Sequence, residues 1–128
     1  MNVLIRVIDH SQQRYDTCGD WQFDEAGTAG TLVISVSSLK SWRMEALIAI
    51  HELIEAVLCR GFNIDQGDVD QFDLQFSGEG EPGDQFAAPY YMQHQIATGI
   101  ERLLAAYLMV DWLDYEKRVN ELGQTAKD

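Results

Sequence analysis

The sequence contains few basic residues. Nine Lys and Arg stand against 21 Asp and Glu among 128 residues, which gives a formal net charge of -12 at pH 7. Proteins that bind nucleic acid neutralise phosphates with clustered Lys and Arg, whereas these nine are scattered, so we expect no nucleic-acid partner. An acidic protein can instead imitate DNA towards a basic partner, but an acidic excess is also the ordinary composition of a hydrated surface.

Cysteines and long apolar segments are also scarce. Cys18 and Cys59 form no C-x-x-C pair, so we expect neither a zinc ribbon nor a disulfide framework, and both thiols reduced. No segment is apolar for 18 residues, and residues 1–6 lack the basic flank and apolar stretch of a signal peptide. We therefore expect a cytoplasmic protein with no membrane partner. At 46% hydrophobic composition, residues 1–128 form one domain with one core.

Residues 1–40 predict a small, mainly antiparallel sheet. Segment 3–8 is rich in β-branched residues and Leu, and Thr31–Ser37 alternates between apolar and polar residues. A further strand is expected at 15–23. The glycines of segment 24–30 predict a turn or a short loop between the second and third strands.

Helices are predicted for most of the remaining chain. Ser41 is a good N-cap, and Gly61 suits the C′ position, so residues 41–61 form the first helix. Residues 62–88 carry seven acidic residues, four glycines and no Lys or Arg. This composition predicts an irregular acidic loop, with at most one short helical or extended piece around 69–76.

The C-terminal segment 89–122 predicts one or two helices. Pro89 suits the first turn of a helix that runs to about residue 109. Asp111 caps a further helix, or the same helix continues to residue 122. The predicted fold class is α+β, with the sheet followed by two or three helices. A long final helix with Trp112 and Tyr115 forms a dimer interface or closes the core of a monomer. The sequence leaves the oligomeric state open.

The most informative segment is the run H-E-L-I-E at residues 51–55. His51 and Glu55 lie one helical turn apart on one face, and Glu52 lies about 100° round from His51. On a helical wheel, His51 and Glu55 fall within the apolar arc of the helix. The sequence therefore predicts a buried imidazole and a buried carboxylate side by side.

A buried carboxylate at Glu55 requires compensation. Leaving it unpaired costs several kcal/mol, roughly the whole stability of a small domain. A divalent metal would supply the compensation, since zinc accepts histidine and glutamate ligands. The alternatives are a hydrogen-bonded polar pair, or a salt bridge to Arg43, Arg102 or another base.

A third metal ligand is expected from the second long helix. Its predicted core face consists of Ile96, Ile100, Leu103, Leu104, Tyr107 and Val110. His94 and Glu101, seven residues apart, lie at the edge of that face. We predict His94 as the third ligand, with Glu101 as the partner that fixes its tautomer or as the ligand itself. A partly exposed His94–Glu101 pair is the alternative. Tyr90 and Tyr91, one turn before His94, are either oxyanion donors or packing residues, and His10 is expected at the surface.

The segment 51–61 resembles the metal-binding helix of the zincins, the zinc metallopeptidases with an H-E-x-x-H motif. A sheet whose last strand leads into that helix, followed by a ligand from a later helix, is similar to the zincin core. The chain also resembles small uncharacterised phage- or prophage-encoded proteins that carry H-E-[LI]-[IV]-E and a later Q-H-x-x-A-T-x-I-E, here residues 93–101. The zincin resemblance implies that His51 is a zinc ligand, Glu52 the general base that activates water at the metal, and Glu55 a variant ligand.

Three functions compete at this point. The first is a zinc-dependent, peptidase-like hydrolase acting on a peptide or protein. Because Glu55 replaces the second histidine of zincins, the metal has a lower net positive charge and acidifies water less. The second is a non-catalytic phage accessory or interaction protein in which the cluster is a structural metal site or polar cluster, closed to further ligands. The third and weaker is a Mg²⁺-dependent nucleotide pyrophosphohydrolase, for which Leu104 occupies the place of a required Asp.

Overall fold

Three strands form a mixed sheet at the N-terminus. The computed structural model describes residues 1–24 and 30–127, with side chains up to residue 122. The strands β1 (Asn2–Ile8), β2 (Gly19–Asp24) and β3 (Thr31–Ser37) lie in the order β1-β3-β2. β1 pairs with β3 in parallel, and β2 pairs with β3 antiparallel. The sheet is thus mixed rather than mainly antiparallel. Most of the predicted loop 24–30 lies outside the described residues.

Four α-helices follow the sheet, which confirms the α+β class and exceeds the two or three helices predicted. They are α1 (Trp42–Gly61), α2 (Gln66–Gln75), α3 (Tyr91–Tyr107) and α4 (Trp112–Lys127). The additional helix α2 lies in the predicted acidic loop. Among the side chains of α2 only Val69 is buried. Its sequence therefore lacks the apolar periodicity from which a helix could have been predicted. None of the described helices has the length and apolar character needed to cross a membrane.

The helix ends partly follow the predicted signals. Ser41 caps α1 by accepting a hydrogen bond from the Met44 backbone. Gly61 still belongs to α1, and the left-handed residue that ends the helix is Asn63, with φ 57°. Asp111 accepts a hydrogen bond from the Asp114 backbone, so α4 is a separate helix rather than a continuation of α3.

The core lies between the sheet and the helices. α1 packs against β2, β3 and α3. The apolar residues buried at these contacts include Trp21, Leu32, Ile34, Val36, Leu47, Ile48, Ala56 and Cys59. Arg14 joins β2 to α2 through two hydrogen bonds of 2.8 Å to Asp20 and two of 3.1 and 3.2 Å to Asp70. Cys18 and Cys59 carry free thiols, as expected.

The orientation of α3 is the main departure from the sequence prediction. Four residues of its predicted core face are exposed, namely Ile96, Ile100, Leu103 and Tyr107, while Leu104 and Val110 are half-buried. The inward face instead carries Gln93, His94, Ala97, Glu101 and Ala105. The two alanines let α3 approach α1 closely. The polar residues face inward because their partners lie on α1.

Candidate metal centre

Two side chains of the centre come from the middle of α1. His51 and Glu55 are 6% and 5% exposed, in agreement with their position on the apolar arc. His51 Nε2 lies 3.0 Å from Glu55 Oε2, as the one-turn spacing allows. α1 therefore places an imidazole and a carboxylate together inside the molecule.

Glu55 also contacts α3 and β2. Its Oε2 lies 2.9 Å from His94 Nδ1, so one carboxylate oxygen faces a nitrogen from each histidine. Its other oxygen, Oε1, accepts a hydrogen bond of 2.9 Å from the Trp21 indole. This indole fixes the orientation of the carboxylate and leaves Oε2 to the two histidines.

The outer nitrogen of His51 faces a second carboxylate. His51 Nδ1 lies 2.8 Å from Glu101 Oε1, and the Tyr115 hydroxyl donates to Glu101 Oε2. The sequence suggested that Glu101 pairs with His94. In the structure Glu101 pairs with His51 instead. Two turns separate His94 from Glu101 on α3, and that distance places Glu101 beside a different residue of α1.

The outer nitrogen of His94 faces the segment between α2 and α3. His94 Nε2 lies 3.1 Å from Glu81 Oε2 and 3.1 Å from Asp84 Oδ1. Neither of these two contacts has hydrogen-bond geometry. Within the described part of the chain, the buried Nε2 of His94 therefore has no hydrogen-bond partner. Gly83 lies against the ring, since a Cβ there would be 2.4 Å from His94 Cγ. The short helical turn Pro82–Asp84 is thus shaped around the imidazole.

Glu52 lies on the side of α1 that faces the start of β2. A Cβ on Gly19 would come within 2.7 Å of Glu52 Oε1, so the carboxyl is packed directly against the strand backbone. Burial, together with the nearby charge of Glu55, raises the pKa of Glu52 well above its usual value. Glu52 is therefore close to the centre without being one of the three residues that converge there.

The centre is held together by charge. Burial alone raises the pKa of Glu55, but the hydrogen bonds from His51 and His94 outweigh it and lower the pKa to about 2. Burial lowers the pKa of His94, yet Glu55 and Glu81 raise it to about 10. The pKa of His51 is likewise raised well above its usual value, because Glu101 and Glu55 outweigh burial. In the metal-free protein both imidazoles are therefore positively charged at neutral pH.

Of the two alternatives to a metal, the salt bridge from Glu55 to Arg43 or Arg102 is not formed, and the hydrogen-bonded polar pair is. The Arg43 guanidinium lies over the Trp42 ring at 4.8 Å, and that of Arg102 lies over Trp112 at 5.4 Å. Among the residues that the structure describes, no Lys or Arg forms an ion pair with Glu55. The histidines are the groups that compensate this carboxylate.

The remaining candidates lie away from the centre, and Tyr91 is a packing residue there, which was one of its two expected roles. The Tyr91 ring packs against Phe86, with ring centroids 5.2 Å apart, and makes no described hydrogen bond to the centre. His10, expected at the surface, is half-buried between Ser37 and Asp16. Both residues lie outside the cluster formed by the other histidines.

His51, Glu55 and His94 can together hold a metal ion. One ligand atom from each residue lies within 4.8 Å of the others. Two imidazole nitrogens and a carboxylate oxygen form a donor set that zinc and other first-row divalent metals accept, and nothing in the geometry selects zinc among them. Metal-ligating histidines usually donate their second N–H to a carboxylate, as His51 does to Glu101, and the second nitrogen of His94 faces two carboxylates.

Four contributors to the centre were missed in the sequence: Trp21, Glu81, Asp84 and Tyr115. None lies at helical spacing from the H-E-L-I-E run. Glu81 and Asp84 flank Pro82 and Gly83 within an acidic segment, and the Pro-Gly pair was the available signal that the chain adopts a defined turn there. Trp21 and Tyr115 read as ordinary apolar residues of a strand and a helix.

Comparison with known proteins gives no relative. No protein-family profile, curated protein or solved structure matches the chain. The resemblance to zincins and to small phage proteins therefore stays a prediction based on the motifs.

Proposed function

We propose that the protein is a metal-dependent hydrolase of peptidase type whose ion, most simply Zn²⁺, is held by His51, Glu55 and His94. The observation that carries the proposal is the position of Glu55 Oε2, 3.0 Å from His51 Nε2 and 2.9 Å from His94 Nδ1. These are hydrogen-bond distances, and a movement of each histidine by a few tenths of an ångström would give the spacing of about 3.3–3.6 Å between ligand atoms that share one tetrahedral ion at about 2.0–2.2 Å. The three residues then need no further ligand from the protein.

The outer carboxylates support the same assignment. Glu101, itself bound by Tyr115, holds the Nδ1 proton of His51, so that Nε2 is the nitrogen that would give up its proton to a metal. Glu81 and Asp84 face Nε2 of His94, which leaves Nδ1 for the same ion. His51 is thus oriented by a hydrogen-bonded carboxylate on the side away from Glu55, and two carboxylates face the corresponding side of His94.

Glu52 is the group we assign to proton transfer. A bound zinc lowers the pKa of water and polarises a carbonyl. With an ion bound, its positive charge would favour the ionised form of Glu52, whose pKa is otherwise raised by burial and Glu55. That carboxylate, one residue after His51, would accept a proton from the water and pass it to the leaving amine. Its packing against Gly19 holds the carboxyl on the side of α1 that faces β2.

A second function is supported by the burial of the site. His51, Glu55 and His94 are each at most 6% exposed, while Glu81 and Asp84, at 52% each, form the most exposed side. A closed site of this kind suits a structural metal in a non-catalytic accessory or interaction protein. The two functions differ in whether the ion has a position open to water.

Metal content tests the proposal first. Protein purified without chelator or nickel is analysed for metals as wild type, as His51→Ala and as His10→Ala, the last being a matched histidine outside the centre. We expect about one zinc per chain in wild type and His10→Ala, and none in His51→Ala. Wild-type protein that neither contains nor takes up metal would contradict the hydrolase and leave His51, Glu55 and His94 as a buried polar cluster in an interaction protein.

Peptide hydrolysis then separates the two functions. We assay wild type and Glu52→Gln on a mixture of unstructured peptides. Cleavage by wild type that Glu52→Gln loses while keeping its metal supports the hydrolase. A metal-loaded wild type with no cleavage supports the structural role.

A further inference from the structure

The outward face of α3 is apolar along its whole length. Met92, Ile96, Ile100, Leu103 and Tyr107 are 61%, 46%, 38%, 59% and 81% exposed. We call these five residues the α3 stripe. They follow each other at intervals of four, four, three and four residues, which places them on one side of the helix. The stripe lies on the side of α3 opposite His94 and Glu101.

The α3 stripe lies in a region with almost no charge. Between residues 91 and 107 the charged side chains are His94 and Glu101, which are buried, and Arg102, which lies over the Trp112 ring. The whole chain carries -12, so most of its surface is acidic. A second copy of the chain can therefore approach at the stripe with less like-charge repulsion than at the acidic segment 62–88.

The stripe is symmetric along the helix. When α3 is paired with an antiparallel copy, Met92 faces Tyr107, Ile96 faces Leu103, and Ile100 faces Gly99. A Cβ placed on Gly99 would meet nothing within 4 Å, so there is open space for the Ile100 side chain of the copy. Such a surface is self-complementary across a two-fold axis, as an isologous interface requires.

We propose that the α3 stripe binds the same stripe of a second copy, antiparallel, about a two-fold axis near Gly99 and Ile100. The exposed fractions of these five residues correspond to about 600 Å² per chain, the upper end for an exposed patch on a monomer. Two copies would bury about 1,200 Å², the lower end for a specific interface. The proposal is independent of the metal, because the stripe and the metal centre occupy opposite sides of α3.

The mass in solution tests this dimer. Light scattering after size exclusion should give wild-type protein a mass of twice the 14.5 kDa of one chain. The dimer fraction should be larger at 0.5 M than at 0.1 M salt, because salt screens the repulsion between two acidic chains. Ile96→Glu and Leu103→Glu should weaken dimerisation about 100-fold, since each dimer buries two unpaired carboxylates. Val57→Glu on α1 is the control, because Val57 and Ile96 are both 46% exposed.

Melting temperatures show whether the variants fold, which is expected because all three positions are exposed. A wild-type mass of 14.5 kDa at high concentration and high salt would overturn the proposal. A dimer that survives both stripe variants would also overturn it. So would equal weakening by the Val57 control.

Cross-linking tests the antiparallel arrangement. Met92→Cys and Tyr107→Cys proteins are mixed and treated with a short bis-maleimide. We expect cross-linked dimers in the mixture and only background cross-linking in either variant alone. Wild-type protein shows how much of that background comes from Cys18 and Cys59. A cross-link formed by Met92→Cys alone would overturn the antiparallel pairing.

Discussion

Metal binding should release about two protons per ion at pH 7. In the metal-free protein the raised pKa values of both histidines, about 10 for His94, keep both imidazoles charged. The nitrogens that face Glu55 then each carry a proton. A metal ion bound to those nitrogens replaces both protons, while Glu55, with a pKa near 2, has none to lose.

The size of the pH effect follows from that count. The ion competes with one proton on each histidine, so its affinity should rise about tenfold per pH unit for each. Two protons correspond to about a hundredfold, or about 2.7 kcal/mol, per pH unit. The dependence should persist through neutral pH and flatten as the pH approaches the pKa of His94, about 10.

Calorimetric titration measures the protons directly. Zinc is titrated into metal-free protein at pH 7 in buffers that differ in ionisation enthalpy, and the slope gives the protons released. Glu55→Gln is the informative variant, because it removes the charge that raises both histidine pKa values, so it should bind more weakly and release fewer protons. A wild-type slope of zero, or an affinity that does not change with pH, would refute the assignment of these nitrogens as ligands.

Two further substitutions test how the ligands are held. Tyr115→Phe removes the hydroxyl that donates to Glu101, and should lower the free energy of unfolding by about 1 kcal/mol and the metal affinity about tenfold. Gly83→Ala places a Cβ 2.4 Å from His94 Cγ and should lower the free energy of unfolding by about 1–3 kcal/mol, with loss of bound metal. Urea denaturation and metal titration measure both effects.

Each substitution has a matched control. Tyr91→Phe tests the loss of a tyrosine hydroxyl away from the centre, because Tyr91 packs against Phe86. Gly61→Ala tests the addition of a methyl group where nothing lies within 4 Å. If a control changed metal affinity as much as its partner variant, the effect would not arise at the centre.

Local patterns in the sequence were sufficient for much of the fold. The cap at Ser41 and the strand Thr31–Ser37 were both predicted, because hydrogen bonding at a helix start and alternation along a strand involve residues close in sequence. The same holds for the pairing of His51 with Glu55. A separation of four residues on a helix fixes their proximity whatever the rest of the chain does.

The orientation of α3 could not be predicted in this way. The helix has an apolar side with Ile96 and Leu103 and a polar side with His94 and Glu101. Because burial of apolar area stabilises a fold, the apolar side was predicted to face the core. The polar side is buried instead, because its charged groups pair with His51 and Glu55 on α1, which themselves need compensating charges. This choice depends on contacts between residues about 40 to 50 apart, which a helical wheel does not contain.

The sequence by itself therefore determined the α+β class and the buried His51–Glu55 pair on α1, since both follow from spacing along the chain. The tertiary structure alone decided which groups complete the centre. It brought Trp21 to Glu55, Glu101 to His51, and the turn Pro82–Asp84 to His94. These partners come from separate elements, and their proximity is set by how the sheet and helices pack.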